Sequence, residues 1–185
     1  MATTKHTIVA LVEDKPGVLN RVASMFRRRG FNIESLAVGH SEQAGVSRMT
    51  IVVDGATAVL DQVTKQLYKI VDVVKVSDFA ESELVARELA LIKVKATPST
   101  RGEIIQIADI FRANIIDVAP DSLIIEVTGD TDKVDSLFRL LKGFGVRELS
   151  RTGRLAMARG PAGTLGVEAE SRPSRGKGRK QEGGS

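Results

Sequence analysis

The feature that most constrains this chain is an alternation of hydrophobic periods, two-residue and then 3.6-residue, that runs through residues 7–79 and then repeats. Thr7 to Val12 places Ile8, Ala10 and Val12 on one face and Val9 and Leu11 on the other, which reads as a buried strand. From Pro16 the spacing predicts a helix with Val18, Leu19, Val22, Ala23 and Phe26 along one stripe. Arg27, Arg28 and Arg29 followed by Gly30 end it, because cations favour the negative end of a helix and Gly tolerates the left-handed turn beyond it. That arginine run therefore has a structural explanation. Phe31–Val38 and Val46–Val53 then flank the turn Ser41–Gly45 as a hairpin. A helix over Ala56–Ile70, carrying Val59, Leu60, Val63, Leu67 and Ile70, leads to a closing strand over Asp72–Phe79.

The order β-α-β-β-α-β is the ferredoxin-like arrangement, an antiparallel sheet with both helices on one face. It then recurs. A strand over Glu88–Ala96 precedes a helix opened by Ser99-Thr100-Arg101-Gly102-Glu103 and carrying Ile104, Ile107, Ala108 and Phe111. Strands Asn114–Val118 and Leu123–Val127 surround the turn Ala119-Pro120-Asp121. A helix over Thr131–Lys142 and a last strand over Val146–Met157 complete the second copy. Gly17 stands as far before Phe26-Arg27 as Gly102 stands before Phe111-Arg112, and each helix leads to an Asn-Ile pair, which supports duplication. The expected fold class is α+β: two tandem ferredoxin-like domains, residues 1–79 and 80–160, and a tail over 161–185.

Composition narrows the function. The net charge of +4 lies wholly after Glu170, where Arg172, Arg175, Lys177, Arg179 and Lys180 face only Glu182. The rest of the chain is neutral, so the globular part has no basic excess with which to hold nucleic acid. Gly, Ser, Pro and basic residues dominate the tail, which is expected to be disordered. No cysteine is present, and the two histidines, His6 and His40, stand apart, so thiolate chemistry and metal ligation find no support. No run of residues approaches a membrane span, and the polar start Met1–His6 does not read as a signal peptide. A cytoplasmic protein without a membrane partner is the plain expectation.

Chemistry concentrates at the first strand-to-helix turn, Glu13-Asp14-Lys15-Pro16-Gly17-Val18-Leu19. Pro16 suits a first helical position, and Gly17 removes the Cβ that would crowd an approaching group. The amides of Gly17, Val18 and Leu19 would then face outward from a helix N-terminus able to take a carboxylate. Asp14 beside them could hold an ammonium, and the pair of demands describes an amino acid. Two plainer readings stay open: Asp14 as a helix cap, and Asn32 as a residue tolerating an unusual backbone angle after Gly30. Ser35 and Arg48 read either as ordinary sheet residues or as contacts with another subunit, and His40 as solvated. In the second copy Arg101 replaces the proline and Glu103 stands where Val18 stood, so a carboxylate would be repelled there.

A helix-opening Asp-x-Pro-Gly after the first strand of such a unit resembles the ACT domain, a small module that senses amino acids. Pro16–Val22, Arg29–Leu36, Ser47–Ile51, Gln66–Val73 and Glu88–Val94 together resemble one family, the regulatory small subunit of acetolactate synthase, up to about Gly160. The resemblance implies a homodimer, through its ACT domain, of a chain with no active site and no cofactor of its own. It implies a catalytic (large) subunit as partner, which would carry thiamine diphosphate, magnesium and FAD. That subunit would be activated, and made sensitive to feedback by valine or a related branched-chain amino acid. The effector site implied is Asp14, Gly17, Val18 and Leu19 of one chain against Asn32 and Ile33 of another, with Asn20 as a further candidate. Asp14 and Asn20 depart from the Asn and Ser often found in the family. The alternative is a stand-alone ACT-domain sensor acting on another enzyme or on transcription. A catalyst in its own right has no supporting constellation.

Overall fold

The computed structural model describes residues 5–79 and 84–160; the expected disordered tail lies outside the described residues. The first half contains β1 (Lys5–Glu13), α1 (Val18–Arg29), β2 (Ile33–His40), β3 (Val46–Asp54), α2 (Thr57–Leu67) and β4 (Val73–Phe79). Its sheet runs β2-β3-β1-β4, with every neighbouring pair antiparallel. The second half contains β5 (Leu84–Lys95), α3 (Arg101–Ile110), β6 (Asn114–Ala119), β7 (Ser122–Gly129), α4 (Thr131–Lys142), β8 (Val146–Arg151) and β9 (Leu155–Ala158). Its sheet runs β6-β7-β5-β8 in the same pattern, and β9 pairs with β5. The fold is thus two ferredoxin-like units in tandem.

Each sheet buries one face against its own two helices. Ile8, Ala10 and Val12 meet Val18, Val22, Met25 and Phe26 of α1 and Leu60, Val63 and Leu67 of α2. Ala90, Ile92 and Val94 meet Ile104 and Ala108 of α3 and Val134, Leu137 and Leu141 of α4. The stripe expected on α1 is shifted in the structure. Met25 is buried, while Leu19 and Ala23, one residue past Val18 and Val22, are rotated onto the exposed side. The second helix stops at Leu67 rather than Ile70, and Ile70 packs on the core from the turn beyond.

The expected unbroken last strand is instead two strands, β8 and β9, separated by Thr152-Gly153-Arg154. The break has a cause in the first half. Gly153 lies so close to β2 that a Cβ there would overlap the Leu36 carbonyl and sit 2.8 Å from the Ala37 nitrogen. The Arg154 N–H donates to Ser35 Oγ at 2.8 Å, and its guanidinium donates to Thr7 Oγ1 at 3.2 Å. Past this point β9 pairs with Leu84–Arg87, the part of β5 that begins before the expected start at Glu88. Leu84, Ala86 and Ala156 then close over Val9, Leu11 and Val46, so the outer face of the first sheet is buried as well. Arg48 donates to the Ala156 carbonyl at 2.7 Å, and burial pushes its guanidinium pKa down, opposed by Glu42.

Gly153 and Gly102 give opposite expectations. Gly153→Ala forces backbone apart between the halves and should cost about 1–3 kcal/mol. Gly102 is inside α3, where an added Cβ meets nothing within 4 Å, so Gly102→Ala should gain about 0.5–1 kcal/mol. Denaturant unfolding of both variants checks the pair.

Candidate functional site

The turn after β1 is held from both sides. The Glu13 N–H donates to the Asp72 carbonyl and the Asp14 N–H to the Gly45 carbonyl, each at 2.8 Å. Lys15 to Val18 then make a tight turn in which the Val18 N–H reaches the Lys15 carbonyl at 3.4 Å. Gly17 has φ 86 and ψ −7, the third position of a type II turn, and Pro16 takes the second. This corrects the expectation for Pro16, which precedes the helix instead of opening it. It also adds a reason for Gly17: the backbone there is left-handed, and an L side chain is strained whatever the space.

The ground in front of the turn is open, with nothing within 4 Å of a Cβ built on Gly17. The first turn of α1 holds no acidic residue, and its cap, Gly17, has no side chain to satisfy the amides. Asp14 therefore is not the helix cap. Its Oδ2 lies 3.3 Å from His40 Nδ1, at the end of β2, with both side chains well exposed. The Val18 side chain is buried in the core and its N–H is turned to the Lys15 carbonyl, whereas Leu19 is 45% exposed and Asn20 is exposed. Arg21 on the same turn pairs with the buried carboxylate of Asp72, fastening α1 to the link between α2 and β4.

Asn32 and Ile33 stand elsewhere. Ile33 pairs with Val53, which pairs with His6 at the start of β1, while Asp14 follows Glu13 at its end. Ile33 and His40 bound a strand of 8 residues, about 23 Å at ~3.3 Å per residue. One chain thus keeps the turn and the Asn32-Ile33 pair at opposite ends of its sheet. Asn32 is exposed, and Ile33 is half-buried against the first core. The left-handed angle belongs to Gly30 (φ 68), and Asn32 shows none.

The corresponding turn of the second half is closed. The Ala96 N–H donates to the Asp121 carbonyl at 3.0 Å, as Asp14 does to Gly45, so a fully buried alanine replaces the carboxylate. Thr100 Oγ1 accepts from the Thr97 N–H at 3.0 Å, and Arg101 donates to the carbonyls of Ala119 and Pro120, both at 2.8 Å. Gly102 matches Gly17 in spacing but not in conformation, because it is already helical. Ser35 and Arg48, left open in the sequence, both bind the second half of the same chain.

Among the described residues no group of three or more His, Cys, Asp or Glu could hold a metal, and no helix is long and apolar enough to cross a membrane. Fold and turn together define an ACT-domain protein with a second half of like topology. Residues 8–75 match the family described as AHAS small subunit-like ACT domain, and residues 87–160 the family described as small subunit of acetolactate synthase. A probable acetolactate synthase small subunit of Archaeoglobus fulgidus is 59% identical, covering 84% of this chain and 98% of its own. The acetolactate synthase small subunit of Mycolicibacterium smegmatis is 52% identical, over 87% and 95%. The crystal structure of the small subunit from Thermotoga maritima is 45% identical, covers 85% of this chain and 98% of its own, and superposes with a TM-score of 0.81. The chain belongs to the acetolactate synthase small-subunit family.

Arg21→Ala leaves the Asp72 carboxylate buried without its cation and should cost about 1–3 kcal/mol. Replacing both residues by apolar ones should recover most of that loss, as a double-mutant unfolding series will show.

Proposed function

We propose that this chain binds and activates the catalytic subunit of acetolactate synthase and makes it sensitive to valine or a related branched-chain amino acid. The observation that carries this reading is the open turn at Asp14–Leu19 in the first half, set against its closed counterpart in the second. An amino acid needs acceptors for an ammonium and donors for a carboxylate a few ångströms apart. Asp14 supplies the first, and the amides of the Gly17–Leu19 turn, at the positive end of α1, supply the second. Each charge-assisted contact contributes about 1.5–3 kcal/mol. The Asn32 carbonyl and Ile33 of a second copy complete the pocket, since the same residues of one chain are too far away. Valine, leucine and isoleucine differ there by only about 1–3 kcal/mol per methylene. In this reading the first half senses and the second contributes to activation. Thiamine diphosphate, magnesium and FAD belong to the catalytic partner, and the pathway is branched-chain amino-acid synthesis in the cytoplasm.

A pocket shared between copies requires self-association. Sedimentation at micromolar concentration with valine present should give a dimer or larger species; a monomer would count against the shared pocket.

Gly17→Asp should abolish inhibition while leaving activation. It places a negative charge where the effector carboxylate sits, and losing two contacts weakens binding about a hundredfold or more. Gly17→Asn adopts the same left-handed backbone without the charge and isolates the electrostatic part. Gly102→Asp, at the closed turn, should leave the valine response unchanged. Catalytic-subunit rates against valine concentration compare the three variants. An unaltered response in Gly17→Asp would overturn the site.

A further inference from the structure

We infer a second ligand site, for a small phosphate-bearing anion, in the groove between α1 and α2. The two helices pack side by side, with Arg29 Nη2 donating to Gln66 Oε1 at 3.2 Å across them. Beside that bridge is a cavity of about 460 Å³ lined by Met25, Arg28, Arg29, Gln66, Lys69 and Ile70. Three of these six residues are cations and none is an acid. Among the described residues, no ion pair forms at Arg28, Arg29 or Lys69. The cleft between the two halves is the contrast: there Lys5 meets Glu34, and Arg151 meets Glu88 and Asp135 at 2.5 and 2.7 Å.

Cations at the end of α1 offset the helix dipole, but that effect is confined to the last turn of one helix. It does not require a third cation, Lys69, brought to the same cavity from the turn after α2. Three like charges around one cavity repel one another, and an anion seated between them removes that repulsion. Two guanidinium forks and an ammonium suit phosphate oxygens, which accept paired N–H donors in a plane. The half-buried Gln66 amide adds neutral donors. Met25 and Ile70 form an apolar floor, so the cavity favours a phosphate carried on an apolar or planar group over inorganic phosphate alone.

Titration calorimetry of the full chain at low ionic strength, with inorganic phosphate and phenyl phosphate as probes, tests this. Phenyl phosphate should bind several-fold more tightly than phosphate. Arg28→Gln with Lys69→Gln should weaken phenyl phosphate at least tenfold. Arg27→Gln, which removes a charge from the same helix end outside the cavity, should change affinity less than twofold. Undetectable binding up to millimolar probe would overturn the site. So would equal losses in Arg27→Gln and the double variant, which would mean diffuse attraction to basic residues. None of the residues varied here is among those proposed for the amino-acid site, Asp14–Leu19 with Asn32 and Ile33, so failure of the phosphate site leaves that reading standing.

Discussion

Everything in the first half depends on β1 being buried on both faces. Ile8, Ala10 and Val12 are committed to the helices, and Val9 and Leu11 to the paired strands β5 and β9. Each buried Ile, Val or Leu side chain contributes about 1.5–3 kcal/mol, so the strand has no freedom to shift register. Its end is then fixed by two backbone hydrogen bonds, from Glu13 to Asp72 and from Asp14 to Gly45. The turn that follows projects from the most constrained strand of the molecule, which is where an unsatisfied set of amides can be kept in place.

The same double burial joins the halves into one body. Arg48, Ser35 and Thr7 of the first sheet are all hydrogen-bonded to the Arg154–Ala156 segment. At the other edge of the cleft, Glu88 is held by Thr131 at 2.5 Å and by Arg151. Burial alone would lower the Arg151 pKa, but the hydrogen bonds it donates to Glu88 and Asp135 outweigh that and raise it. Packing is therefore continuous from the first turn, through β1 and the paired strands β5 and β9 on it, to the second sheet.

Most of the fold was legible because period and turn chemistry are local. The strand–helix order, the helix Thr131–Lys142 and the two cores followed from residues a few positions apart. What local pattern missed was set by distant contacts. Residues 146–157 read as one strand, and the structure breaks them where Gly153 approaches Leu36. On α1, Leu19 and Ala23 carry the same apolar character as their buried neighbours, and only the position of the sheet decides which row faces in. At the candidate site, Asp-x-Pro-Gly marked a turn leading into α1, but Pro16 lies within that turn and not in the helix. Pro16 and Gly17 shape a type II turn before the helix, and the open amides are its consequence.

The two halves then differ in how their first strand-to-helix turns are satisfied. Both halves bring a strand end to the start of a helix and tie it to the next hairpin by one hydrogen bond, from Asp14 or from Ala96. In the second half the local demands are met internally: Thr100 takes the Thr97 amide, Arg101 takes two hairpin carbonyls, and the strand ends in a buried alanine. In the first half glycine caps α1 without a side-chain bond, and the nearby carboxylate faces only an exposed histidine. Buried polar groups find partners, so amides left to solvent on so rigid a support cost little in water and much to cover without an acceptor. A second copy that covers them with apolar surface alone would lose stability. On the function proposed above, one that brings a carboxylate-bearing ligand with it would not, and pairing of copies and binding of the effector would then favour each other.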